Sequence, residues 1–194
     1  MTDGVWLLRF VPRPGCDVRL FCFHHAGVGA AGYRPWALAL PERIEVCAVE
    51  LPGRGNRLRE APLKSVDEIV ARLLPRLEPE LDRPFVFFGH SMGAVLAYET
   101  ALALRARGRA LPEHLFVSGR RPPHLPDPLS PLAGLPDDAF VAAINRRYGG
   151  IPSALLQHAD VMALLLPALR ADIHALEAHR PAQARAPLPC PITA

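Results

Sequence analysis

The chain has 194 residues, enough for one domain or one domain with a large insertion, and its 50% apolar and 21% charged residues exclude a disordered, collagenous or coiled-coil chain. A formal net charge of +3 without a long Lys/Arg run excludes a nucleic-acid binder, and no apolar run reaches the roughly 18 residues that a membrane span needs. Twenty-two prolines and 14 glycines describe many short elements joined by defined turns, which argues against an all-helical bundle.

Val5 to Val11 and Val18 to Phe23 read as strands separated by Pro12-Arg13-Pro14-Gly15, the pattern of an N-terminal hairpin. A Gly/Ala-rich loop from Ala26 to Gly32 leads to a short helix over Tyr33 to Leu40, and Ile44 to Val49 is a third strand rich in β-branched residues. After the turn-rich Leu51-Pro52-Gly53-Arg54-Gly55-Asn56-Arg57, the capping-box spacing of Ser65 and Glu68 starts a helix whose apolar positions are Ile69, Leu73, Leu74, Leu77 and Leu81. Pro75 and Pro79 are expected to kink or shorten it. Pro84 to Phe88 is wholly apolar, as in a strand buried on both faces of a parallel sheet. Met92 to Arg107 forms a long helix with Gly108 as its C-cap, and His114 to Ser118 is a further strand.

Residues 119–187 lack strand signals and carry helical stretches at Asp137 to Arg147, Ser153 to His158 and Asp160 to His179, with a kink expected at Pro167. Leu188 to Thr193 looks like one more strand. The expected layout is an α/β core over 1–118, a helical insertion over 119–187 and a last core strand over 188–194, in a mostly parallel, doubly wound sheet with its chemistry at the C-terminal ends of the strands. The N-terminus shows no basic segment followed by an apolar run, and Cys16, Cys22, Cys47 and Cys190 are scattered without paired spacing. Both features are expected of a cytoplasmic protein with reduced thiols.

The sharpest chemical signal is Gly89-His90-Ser91-Met92-Gly93, set between a buried strand and a long helix, the context that gives a G-x-S-x-G pattern its meaning. So tight a turn strains Ser91 and leaves no room for side chains at 89 and 93. It presents the serine hydroxyl as a nucleophile at a helix N-terminus, where the Met92 amide can stabilise an oxyanion. The second donor in such a layout comes from a loop after an earlier strand, here His24-His25-Ala26-Gly27-Val28-Gly29. The Ala26 amide is the first choice and Gly27 the second. His24 and His25 are read as ordering this loop by hydrogen bonds rather than as bases.

With these pieces in place, the chain resembles the type II thioesterases that accompany modular polyketide synthases and nonribosomal peptide synthetases. The matching segments are Phe23-His24-His25-Ala26-Gly27, Leu51 to Arg57, Gly89 to Ala94, Leu135-Pro136-Asp137-Asp138, Tyr148-Gly149-Gly150-Ile151-Pro152, and Leu169-Arg170-Ala171-Asp172 ahead of Cys190 to Ala194. His24 and Val28 stand where that family usually has proline and a second glycine. The resemblance implies an α/β-hydrolase fold and hydrolysis of stalled or wrong acyl groups from the phosphopantetheine of acyl or peptidyl carrier proteins. It implies an acyl-serine intermediate on Ser91 with no metal or bound cofactor; from charge and hydropathy no nucleic-acid or membrane partner is expected, and the chain is expected to be a monomer. The helical insertion would then be a lid over an acyl chamber, its stripe Val161, Leu164, Leu165, Leu169, Ile173 and Leu176 packing on the sheet or touching substrate.

A serine triad in this fold continues with an acid and then a histidine. After His114 to Ser118 no acid follows directly, His174 and His179 read as lid residues, and the acid and histidine are expected after residue 194, outside a truncated and inactive chain. Two other functions share the elbow: a carboxylesterase or acyltransferase of the same fold, and a noncatalytic carrier-binding fragment.

Overall fold

The computed structural model describes residues 4–123, 125, 130–149, 151–181 and 186–194; residues 124, 126–129, 150 and 182–185 of the expected insertion lie outside that description. Six strands, β1 (Leu7–Leu8), β2 (Val18–Phe23), β3 (Ile44–Val49), β4 (Phe85–His90), β5 (His114–Ser118) and β6 (Ile192–Thr193), form one sheet in the order β1-β3-β2-β4-β5-β6. Neighbours run parallel throughout, apart from β1, which is antiparallel to β3. The helices are α1 (Arg34–Ala39), α2 (Val66–Leu77), α3 (Met92–Ala106), α4 (Asp137–Tyr148), α5 (Ser153–Leu156) and α6 (Ala159–Ala178).

The expected N-terminal hairpin is not formed: Leu7 and Leu8 pair with Val49 and Ala48 of β3. The reason is that β2 is interior, with five-residue parallel registers to β3 on one side and β4 on the other, so no free edge remains for its sequence neighbour. Pro12 and Pro14 cannot donate to a ladder. The turn instead carries the chain across the start of β3, where the Arg13 guanidinium donates to the carbonyls of Ala37, Pro41 and Ile44, and the Arg13 N–H donates to Glu45 at 2.8 Å.

One sheet face is built from Phe21, Phe23, Phe85, Phe87 and Leu115 against Ile69, Leu73 and Leu77 of α2 and Leu96 and Leu104 of α3. Its phenylalanines meet edge to face, with centroids 5.2–5.9 Å apart. The other face carries Leu20, Cys22, Val46 and Ala48 under Tyr33 and Ala37. β4 is therefore not buried on both faces as its composition suggested: Phe85 and Phe87 are buried, whereas Val86 and Phe88 are half-buried. On that side Phe88 is covered by Tyr33 and by Trp36, itself part-exposed, with the Trp36 ring at 4.7 Å.

Ser65 caps α2, its hydroxyl accepting from the Glu68 N–H at 3.4 Å. Pro75 sits inside α2 and Pro167 inside α6, and neither ends its helix. Both lie on the exposed side, where water can serve the carbonyl one turn earlier that proline leaves without a donor. After α3, Gly108 takes a left-handed φ of 63° and the Arg109 N–H closes on the Leu104 carbonyl at 3.0 Å, the cap its position foretold. No helix among the described residues is long and apolar enough to cross a membrane.

Candidate active site

Ser91 joins β4 to α3 with φ 54° and ψ −111°, the only non-glycine residue of positive φ among the described residues. Its N–H donates to the Ser118 carbonyl at 2.8 Å, which ties the bend to the end of β5. A Cβ on Gly89 would stand 2.1 Å from the Gly93 carbonyl oxygen, and one on Gly93 would stand 2.0 Å from the Phe23 carbonyl oxygen. Both obstacles are backbone, so neither can step aside. The glycines thus allow the first turn of α3 to press against the end of β2, beside the start of the His24 loop. The Ser91 side chain is part-exposed and makes no capping hydrogen bond, and the Met92 N–H, in the first turn of α3, has no intrahelical acceptor.

The loop after β2 is held from three directions. Gly27 adopts φ 80°, and its N–H donates to Asp172 Oδ2 at 2.8 Å. Asp172, on α6, is fully buried and accepts a two-pronged ion pair from Arg54, Nη1 at 2.6 Å and Nη2 at 2.8 Å. Arg54 also donates to the Val28 carbonyl at 3.1 Å, so one guanidinium links the loop after β2, the loop after β3 and α6. Beneath lies Glu50, which accepts from the Ala30 N–H at 3.2 Å and fills the space that Cβ atoms on Gly29 and Gly55 would occupy. Burial holds its carboxyl above the usual range, against the Ala30 bond and the nearby guanidinium groups of Arg54 and Arg57. Of the two candidate oxyanion donors in this loop, the Gly27 amide is thus engaged by Asp172, whereas the Ala26 N–H meets no acceptor among the described residues.

The described imidazoles are placed elsewhere than on the serine hydroxyl. His24 is buried, with Nδ1–H donating to the His25 carbonyl at 2.9 Å, and burial, reinforced by Arg54, pushes its pKa down to about 3. This is the loop-ordering role read for it. His25 packs edge-on against His90 at 5.6 Å and is likewise lowered, by burial first and His90 second. His90 bonds Ser118 Oγ at 3.1 Å, His174 bonds the Lys64 carbonyl oxygen at 3.2 Å, and His179 pairs with Glu99 at 3.0 Å. His174 and His179 therefore tie α6 to the segment before α2 and to α3.

The stripe on α6 divides. Leu169 and Ile173 pack against Phe140 and Ile144 of α4 rather than on the sheet, Leu176 joins the sheet's main cluster, and Leu164 is exposed. A groove of about 450 Å³ between α2 and α3, lined by Val70, Leu74, Glu99 and Leu102, runs along the far half of α3, away from the elbow. Sequence reading singled out neither Asp172 nor Arg54 nor Glu50 as site residues. The available signal was Asp172 itself, a charge three residues after Leu169 and one before Ile173, hence on the buried face of α6.

Residues 18–193 match the model of the thioesterase domain family. The chain is 39% identical over 189 residues to the gramicidin S biosynthesis protein GrsT of Aneurinibacillus migulanus, covering 97% of this chain and 73% of that protein. It is 42% identical over 198 residues to the thioesterase PikA5 of Streptomyces venezuelae, covering 100% of this chain and 68% of that one. The structure of the type II thioesterase BorB from the borrelidin biosynthetic cluster superposes with a TM-score of 0.86 at 35% identity, over 99% of this chain and 77% of BorB. The strained elbow, the parallel sheet and these likenesses agree: the chain belongs to the thioesterase family as a type II thioesterase with the α/β-hydrolase fold, a serine hydrolase of thioesters.

Proposed function

We propose that Ser91 takes the acyl group from the phosphopantetheine thioester of a carrier protein and that water then releases it as the free acid, clearing stalled or aberrant acyl chains. The observation that carries this reading is the Ser91 backbone at φ 54° on the N-terminus of α3, beside a loop whose Ala26 N–H meets no acceptor among the described residues. In the first step the Ser91 oxygen bonds to the carbonyl carbon while an imidazole accepts its proton, and the Met92 and Ala26 N–H groups receive the oxyanion. The C–S bond then breaks and the thiol leaves with that proton. Water repeats the sequence on the acyl-serine. One oxyanion donor contributes a factor of about 10² to 10³. No described histidine hydrogen-bonds Ser91, and the resemblance implies that the triad acid and imidazole come after β6. Residues 119–187 act as the lid, and no cofactor takes part.

The test compares acyl-carrier protein with a simple ester of the same acid. Faster release from the carrier, abolished by Ser91→Ala with carrier binding retained, supports the reading; equal rates favour a carboxylesterase, and turnover surviving Ser91→Ala rejects it. That no described histidine hydrogen-bonds Ser91 favours a second reading, carrier binding without turnover. It predicts a measurable carrier complex and no burst of acyl-enzyme.

A further inference from the structure

Three loops and helices that are far apart in sequence converge on Asp172, whose partner Arg54 lies 118 positions away and whose other partner, Gly27, lies 145 away. A carboxylate with no solvent exposure is costly unless its charge and lone pairs are met, and here one guanidinium fork and one backbone N–H meet them. The same N–H belongs to the peptide that joins Ala26 to Gly27, so its direction fixes the orientation of the loop beside the elbow. Leu169, one turn before Asp172, closes on the same glycine: a Cβ there would stand 2.8 Å from its Cδ1. α6 therefore holds the loop both by a charged acceptor and by an apolar contact.

We infer that Asp172 is a positioning residue for thioester hydrolysis: by holding the Gly27 N–H it reserves the Ala26 N–H for the oxyanion and makes that geometry depend on α6 being seated. The inference rests on the proposed role of Ser91 and the Ala26 loop. It gives the buried pair a role beyond stability. When α6 lifts, the acceptor leaves with it, the Gly27 peptide is free to turn, and the oxyanion donor is lost. Hydrolysis is then confined to the seated state of the helix that would cover the acyl chain. Both Asp172 oxygens are engaged by Arg54 and Gly27, so Asp172 acts through the loop that it holds.

Removing one member of a buried pair can unfold a protein, whereas replacing both by apolar groups of similar size is often tolerated. The test therefore uses the full chain with Asp172→Asn and with the double variant Arg54→Met, Asp172→Leu, beside Ser91→Ala, and reads thermal midpoint, kcat and KM on an acyl-pantetheine thioester, and hydrogen exchange of the Gly27 amide. A positioning role predicts that the double variant melts as wild type does. It should nevertheless lose 10- to 100-fold in kcat at unchanged KM and exchange the Gly27 amide at least tenfold faster. A double variant with wild-type kcat and wild-type exchange overturns the inference and leaves the pair purely structural. Turnover that persists in Ser91→Ala, or is absent from wild type, counts against the proposed function alone; Gly27 exchange still decides the coupling, upheld if it quickens in the double variant and overturned if it does not.

Discussion

The elbow and the helical segment between β5 and β6 are held by different physics. At the elbow, backbone meets backbone: Gly89 and Gly93 leave about 2 Å between a would-be Cβ and a carbonyl oxygen, and nothing there can rotate away. In the helical segment, side chains do the holding, with Phe140 fully buried among Leu132, Ile144, Leu169 and Ile173, and with Asp172 clamped to Arg54. The first arrangement is rigid and local, and the second is adaptable and long-range. The proposed function has use for both: a nucleophile fixed by backbone, and a lid held by side chains.

The comparison breaks first, and hardest, at Gly93. Gly93→Ala places a methyl against the Phe23 carbonyl with no side chain to yield, so α3 must separate from β2. The expected cost is on the order of 4 kcal/mol or more, with loss of Ser91 reactivity, read by urea denaturation and by acyl-enzyme formation. An alanine variant with wild-type stability and reactivity would mean that the elbow is as adaptable as the helical segment. Phe140→Ala makes the corresponding cut in the helical segment. Phe140 is fully buried and carries the Arg170 guanidinium 4.2 Å above its ring. Its removal should cost about 3 kcal/mol, with faster hydrogen exchange confined to α4 and α6 while β4 and α3 stay protected. Uniform loss of protection across the sheet would show the two regions to be one cooperative unit.

This contrast also explains which parts could be read from sequence. The elbow is encoded within five consecutive residues, Gly89 to Gly93, and the strand before it and helix after it are contiguous, so local pattern sufficed. The same holds for α2, whose start Ser65 announces. The pairing of β1 was misread because adjacency in sequence suggests a hairpin, while the edges of β2 are filled by strands that come later. The Asp172 clamp was not legible for a similar reason. Its partners come from loops after β2 and β3, and nothing short of the fold brings residues so far apart into contact. Half-cover of β4 was missed because an apolar run reports what a strand can bury, and not how much its neighbours supply.

The smallest expected effect sharpens the comparison at the point where the two regions meet, the root of the Ala26 loop. His24 is buried with Nδ1–H on the His25 carbonyl, its Nε2 has no hydrogen-bond partner among the described residues, and burial followed by the positive charge of Arg54 lowers its pKa to about 3. In the unfolded chain the same imidazole takes up a proton near pH 6.5. Between those two values the unfolded state binds more protons than the folded one, so the stabilisation is complete above about pH 6.5 and is lost as the pH falls toward 3. From pH 7.5 to 5.0 a single such group removes about 2 kcal/mol. His25, lowered in the same direction, and the carboxylates shift stability as well, but they remain in a His24→Asn variant, which keeps a donor for the His25 carbonyl and no longer titrates. Urea midpoints measured at the two pH values should therefore fall further for wild type than for His24→Asn, by roughly that amount. An equal fall in both would mean that the imidazole accepts its proton without unfolding, and that the loop root is as yielding as the helices above it.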